Sequence, residues 1–129
     1  MKMKKILLID DNKDFVEMLS TYLREEGYDV KCLTDPEKTE EYIESFEPSL
    51  LIIDILMPIR SGFNIIEDFQ EKGLYEDIPK VFLTGLDDDV EKMTARGIGV
   101  CEYITKPVMP SELKKVIDSV LDRAPEAPL

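Results

Sequence analysis

The chain has 129 residues, a length that suits one domain with one hydrophobic core. Its net charge of −12 argues against direct binding of nucleic acid or an anionic membrane surface, because phosphates would repel it. Two cysteines, Cys32 and Cys101, without a CxxC spacing and with no histidine in the chain, argue against a disulfide framework and a Cys/His zinc site.

The basic stretch Met1 to Lys5 leads into Ile6-Leu7-Leu8-Ile9. That apolar run is too short for a signal peptide and ends in Asp10-Asp11, so it reads as a buried strand. No stretch is long enough to span a bilayer, and a cytoplasmic setting is expected. Phe15, Met18, Leu19, Tyr22 and Leu23 then share one helical face, with Gly27 as a stop. Tyr28, Val30 and Cys32 alternate with polar residues, the pattern of an edge strand. Pro36 opens a second helix toward Phe46. Leu50 to Ile53 is a second continuous apolar run, and Phe63, Ile66 and Phe69 mark a third helix that stops near Gly73. Val81-Phe82-Leu83 is a fourth strand, and Asp87 to Asp89 can cap a fourth helix through Met93 to Gly97. Cys101 and Tyr103 alternate weakly with Glu102 as a second edge strand. Ser111 starts a fifth helix whose buried stripe is Leu113, Val116, Ile117, Val120 and Leu121. Met57 and Met93 read as packing residues, and Cys32 and Cys101 as small apolar residues on opposite edges, too far apart to bridge.

Five strands alternating with five helices imply βαβ units and a parallel sheet. Three central strands and edges at the second and fifth fit a flavodoxin-like α/β fold of order 2-1-3-4-5. The domain is expected over residues 1–123, with 124–129, which holds two prolines, as a tail or linker stub. The chain could be a stand-alone protein or a fragment cut at that stub.

In such sheets ligands bind at the carboxyl ends of the strands. Those ends carry Asp10-Asp11, Asp54, Thr84-Gly85 and Thr105-Lys106-Pro107. Three carboxylates at close range repel one another, and a hard divalent cation relieves that cost. Oxygen-only ligands favour magnesium over zinc. Lys106 adds a point charge suited to a phosphoryl oxygen, and Thr84 can donate a hydrogen bond to another. A carboxylate can act as nucleophile and form an acyl phosphate. Without histidine the chain cannot be a phosphohistidine donor, so in phosphotransfer it must receive.

Asp10-Asp11, Asp54 followed by Met57-Pro58 and Gly62, Thr84-Gly85, and Tyr103-Ile104-Thr105-Lys106-Pro107 together resemble the receiver domain of two-component response regulators. The likeness covers roughly residues 3 to 123. It implies Asp54 as phosphoacceptor and a magnesium ion held by Asp11, Asp54 and the backbone carbonyl of Leu56, with Asp10 acting partly through water. It implies that Lys106, before a cis proline bond, pairs with Asp54 or its phosphoryl group. Thr84 would bind the phosphoryl group, and Tyr103 would move from exposed to buried as a switch. The fourth helix, fifth strand and fifth helix would carry the signal. The implied protein is a regulatory switch rather than an enzyme. Its donor would be a sensor histidine kinase or histidine phosphotransfer protein, and its target a partner or output domain. Homodimerisation through the fourth-to-fifth-helix face stays open, with no residue to argue for it. Leu56 and Leu86 are apolar at positions where the family often has polar residues. They are expected to shield the acyl phosphate from water.

Rival readings are weaker. Asp10, Asn12 and Asp14 imitate the start of a calcium loop, but Phe15 and Thr21 stand where that loop needs Gly and Glu. A haloacid-dehalogenase-like phosphatase wants a second Asp two residues after its nucleophile, where Asp10 is followed by Asn12 and Asp54 by Leu56. A degenerate receiver that only binds partners would have lost one of the rim residues, and none is lost.

Overall fold

A computed structural model of the protein describes residues 3–123; the expected tail at 124–129 lies outside the described residues. The elements are β1 (Lys5–Ile9), α1 (Lys13–Glu25), β2 (Asp29–Leu33), a 3₁₀ turn (Pro36–Lys38), α2 (Thr39–Phe46) and β3 (Leu50–Ile53). They continue with α3 (Gly62–Lys72), β4 (Lys80–Thr84), α4 (Asp89–Gly97), β5 (Glu102–Thr105) and α5 (Pro110–Arg123). All strand pairs are parallel, in the order β2-β1-β3-β4-β5. This is the doubly wound arrangement expected from the alternation of apolar runs and helical periods.

Because β1, β3 and β4 lie inside the sheet, their successive side chains feed two cores. Leu7, Ile9, Leu51, Ile53 and Phe82 face Ile43 of α2, Ile65, Ile66 and Phe69 of α3, and Ala95 of α4. Ile6, Leu8, Leu50, Ile52, Val81 and Leu83 face Val16, Leu19 and Leu23 of α1 and Leu113, Ile117 and Val120 of α5. Register brings the strand ends to one rim. Ile9 is level with Ile53, Ile53 with Phe82, and Thr84 with Thr105. The ladder then runs one step further. Asp10 N–H donates to Leu33 O (3.0 Å), Asp54 N–H to Ile9 O (2.9 Å) and Lys106 N–H to Thr84 O (2.7 Å). The residues just past the paired strands are thus fixed by sheet hydrogen bonds.

Several local expectations are corrected. The segment after Pro36 is a 3₁₀ turn, capped by Asp35, that runs into α2, rather than one uniform helix. Pro110 opens α5 in place of Ser111, as its fixed φ allows at a first helical position. Met18 and Met93 are exposed: the buried stripe of α1 runs through Val16, Leu19, Ser20 and Leu23, and α4 buries only Ala95. Met57 is buried as expected. β5 shows no alternation, all four of its residues being half-buried. Cys101 precedes β5 and is exposed, its N–H held by Lys80 O, so it is not an apolar strand residue.

Candidate functional site

The carboxylates of Asp10, Asp11 and Asp54 come together at the carboxyl rim, with one oxygen of each within 4.8 Å of the others. Asp10 and Asp54 are buried and Asp11 is exposed, so the cluster opens to solvent on the Asp11 side. Asp54 is only 7% exposed. Burial raises its pKa above the ordinary carboxylate value, and the neighbouring Asp10 charge raises it further. Lys106, the Thr84 hydroxyl and the Leu56 N–H oppose that rise. The Leu56 N–H donates to Asp54 Oδ1 (3.3 Å), and the Asn12 N–H donates to Asp10 Oδ1 (2.9 Å). Asn12 also caps α1 by accepting from Phe15 N–H (3.1 Å), which starts that helix immediately beside the cluster.

Lys106 follows β5 and precedes a cis proline bond, as the resemblance implies. Its Nζ is 2.7 Å from Asp10 Oδ2 and 3.7 Å from Asp54 Oδ2. The expected pairing with Asp54 is therefore the longer of two, the ammonium lying closer to Asp10. From sequence, Phe15 is legible only as part of the apolar face of α1, yet its ring centroid lies 4.1 Å from Lys106 Nζ, within cation–π range. The signal was its place in the first turn of a helix that begins at the rim.

Thr84 is fully buried, and its Oγ1 accepts from Leu86 N–H (3.3 Å). Neither Leu86 nor Tyr103 hydrogen-bonds a carboxylate of the cluster. Tyr103 donates its hydroxyl to Leu86 O, sets its ring edge-on to Phe82 at 6.2 Å and packs with Leu86 on the α3/α4-side core. Its pKa is raised, by burial first and then by Glu91, Asp88, Asp87 and Asp54. The Leu56 side chain is 58% exposed beside the site. Gly62, the first residue of α3, lies so close to Asp54 O that a Cβ there would sit 2.7 Å from it.

A donor set of carboxylate and carbonyl oxygens suits a hard cation such as magnesium, which binds oxygen at about 2.1 Å and keeps several waters. The clustered carboxylates on an open, solvent-facing side fit that requirement. A sequence model of the response regulator receiver domain matches residues 6–118. The chain belongs to this family. Its receiver domain is 36% identical over 119 residues to the Regulatory protein VanR of Enterococcus faecium, covering 92% of this chain and 50% of VanR. The chain spans about half the length of the curated relatives it matches. A receiver domain protein described as CheY-like from Methanospirillum hungatei superposes with a TM-score of 0.87 at 26% identity, over 95% of this chain and 97% of that one. The BeF3-activated N-terminal receiver domain of Klebsiella pneumoniae RstA gives a TM-score of 0.84 at 26% identity, over 93% and 100%. Receiver domains are regulatory signalling domains of two-component systems, and this one carries an acidic cluster that could bind a metal ion. Among the described residues no helix is long and apolar enough to cross a membrane.

Proposed function

We propose that this receiver domain takes a phosphoryl group onto Asp54 in a magnesium-dependent reaction. The donor is the phosphohistidine of a sensor histidine kinase or histidine phosphotransfer protein. The observation that carries this reading is a buried carboxylate, Asp54, set between two further carboxylates and one ammonium at the end of a central strand.

A bound magnesium ion supplies neutralisation of the phosphoryl oxygens and of the clustered aspartates. Asp10, Asp11, Asp54 and the Leu56 carbonyl are the groups that would hold it. The protein's own part is positioning and charge. Asp54 presents a carboxylate oxygen to phosphorus, the new O–P bond forms as the donor's P–N bond breaks, and the imidazole leaves with the electron pair. Lys106, propped on Phe15 and within reach of both Asp10 and Asp54, turns to an oxygen of the transferred group. The Thr84 hydroxyl, now accepting from Leu86 N–H, donates to another. Because Tyr103 is hydrogen-bonded to Leu86 O, a shift of the β4–α4 segment reaches β5 directly. The changed face of α4, β5 and α5 then controls a partner or output domain. Exposed Leu56 shields the acyl phosphate from water on the open side, whereas Leu86 faces the core and contributes less. On this reading the domain spans residues 1–123, with 124–129 as a tail or linker stub, and works in the cytoplasm. VanR, a regulatory protein twice as long, is consistent with an output region beyond such a domain.

Incubation with acetyl phosphate and magnesium, followed by intact-mass measurement, tests the reading. A gain of one phosphoryl group in the wild type and none in Asp54→Ala supports it. No gain in the wild type would leave a receiver that only binds partners. Rapid turnover of an external phosphoester would point to an enzyme instead.

A further inference from the structure

The geometry points to Arg60 as a positioning residue, whose four-way clamp holds the Leu56 carbonyl in place for the cation; this rests on the magnesium-dependent function proposed above. The loop in question, residues 55–62, leaves Asp54 and enters α3. It is folded on itself. Met57 N–H and Gly62 N–H both donate to Ile55 O (3.1 Å each), and Arg60 N–H donates to Pro58 O (2.7 Å). The last bond closes a three-residue turn centred on Ile59, whose φ is +72°.

A β-branched residue at positive φ is a genuine outlier. Ile59 is 86% exposed, so side-chain burial does not offset its strain. Such a conformation persists only where the surroundings over-determine it. The next residue supplies that constraint. Arg60 Nη1 and Nη2 donate to the two carboxylate oxygens of Glu40 at 2.6 and 3.0 Å. Nη2 also reaches Asp68 Oδ2 at 3.0 Å, and Nη1 reaches Pro36 O at 3.2 Å. The side chain is only 14% exposed. One guanidinium thus ties the loop to the 3₁₀ turn, to α2 and to α3 together. A planar fork fixes orientation as well as position, which a lysine ammonium does not. On the far side, the Ser61–Asn64 capping box holds the start of α3. Upstream, the Leu56 N–H donates to Asp54 Oδ1 (3.3 Å), so between that bond and the Arg60 clamp the Leu56–Met57 backbone has little freedom left. Arg60 has no hydrogen bond to Asp10, Asp11, Asp54 or Lys106, so it acts through the backbone.

The test titrates magnesium into the full chain. The dissociation constant is read by calorimetry, and the Leu56 and Met57 amides are followed by ¹⁵N NMR. Arg60→Ala and Arg60→Lys are expected to weaken magnesium binding about tenfold, as loss of outer-shell support typically does, with far-UV circular dichroism unchanged. Adding Ile59→Gly to Arg60→Ala should recover most of that loss, because glycine adopts positive φ without strain. That rescue separates a positioning role from a merely stabilising one. Wild-type magnesium affinity in both Arg60 variants overturns the inference, as does weakened binding that Ile59→Gly leaves unrecovered. If Arg60→Ala fails to fold, Arg60→Lys alone and with Ile59→Gly decides the matter on the same terms. A wild-type chain that binds no magnesium overturns the proposed function itself, and this inference with it.

Discussion

Gly62→Ala places a methyl group where the fold has no room. The added Cβ would meet Asp54 O at 2.7 Å, and Ile55 Cα and Phe82 Cε1 at 3.1 Å. Two of these atoms are backbone at the end of β3. The third belongs to a fully buried ring that Phe63 braces edge-on at 5.1 Å. None is the free end of a flexible side chain, so the start of α3 must move away from the strand. Overpacking of this kind costs about 1–3 kcal/mol. Alanine's smaller unfolded-state entropy returns about 0.4–1 kcal/mol. The net loss is therefore about 1–2 kcal/mol, which lowers Tm by roughly 5 °C in a domain of this size. Urea and thermal unfolding followed by far-UV circular dichroism measure it directly. Gly97→Ala is the matched control, because a Cβ at the end of α4 meets nothing within 4 Å. It should leave stability unchanged or raise it by about 0.5 kcal/mol. A Gly62→Ala protein as stable as the wild type would refute the claim that Gly62 is required by the close approach of α3 to Asp54. The same displacement should also slow phosphorylation of Asp54 by acetyl phosphate.

Arg60 lowers the pKa of Glu40 below its ordinary value, chiefly by hydrogen bonding. A depressed folded-state pKa contributes stability that is fully present above the unfolded value and lost as pH falls through the folded one. Glu40→Gln should accordingly cost about 1 kcal/mol at neutral pH, and the gap from wild type should close as pH drops below about 4.5; a gap that persists at low pH would mean the pair's charge is not what matters. Since α4 buries only Ala95 whereas α1 buries Val16, Leu19, Ser20 and Leu23, hydrogen exchange should be faster in α4 than in α1. Equal protection in the two helices would contradict that ranking. Leu56→Asn should shorten the lifetime of the phosphoryl group on Asp54, measured by its decay after donor removal, and an unchanged lifetime would remove the shielding role.

Much of the architecture is legible in the residue order. Apolar runs such as Ile6–Ile9 and Leu50–Ile53 are continuous because both sheet faces are covered, and the helical periods between them force crossovers. Parallel register then puts Asp10, Asp54, Thr84 and Lys106 at one rim, so the candidate site follows from strand ends alone. Contacts between elements are different in kind. Met93 sits at a helical spacing that resembles packing, but α4 meets the sheet mainly through Ala95, and the methionine stays in solvent. Lys106 reaches Asp10 before Asp54, and Phe15 supports it, because the β5–α5 turn and the first turn of α1 converge over β1. Arg60 looks like any loop residue until α2, α3 and the 3₁₀ turn close around it. By itself the amino-acid sequence determined which residues stand at the sheet rim, because side-chain periodicity and strand register are local properties of the chain. Only the tertiary structure decided which of those groups touch and what holds them, because partners distant in sequence meet only when helices are laid across the sheet.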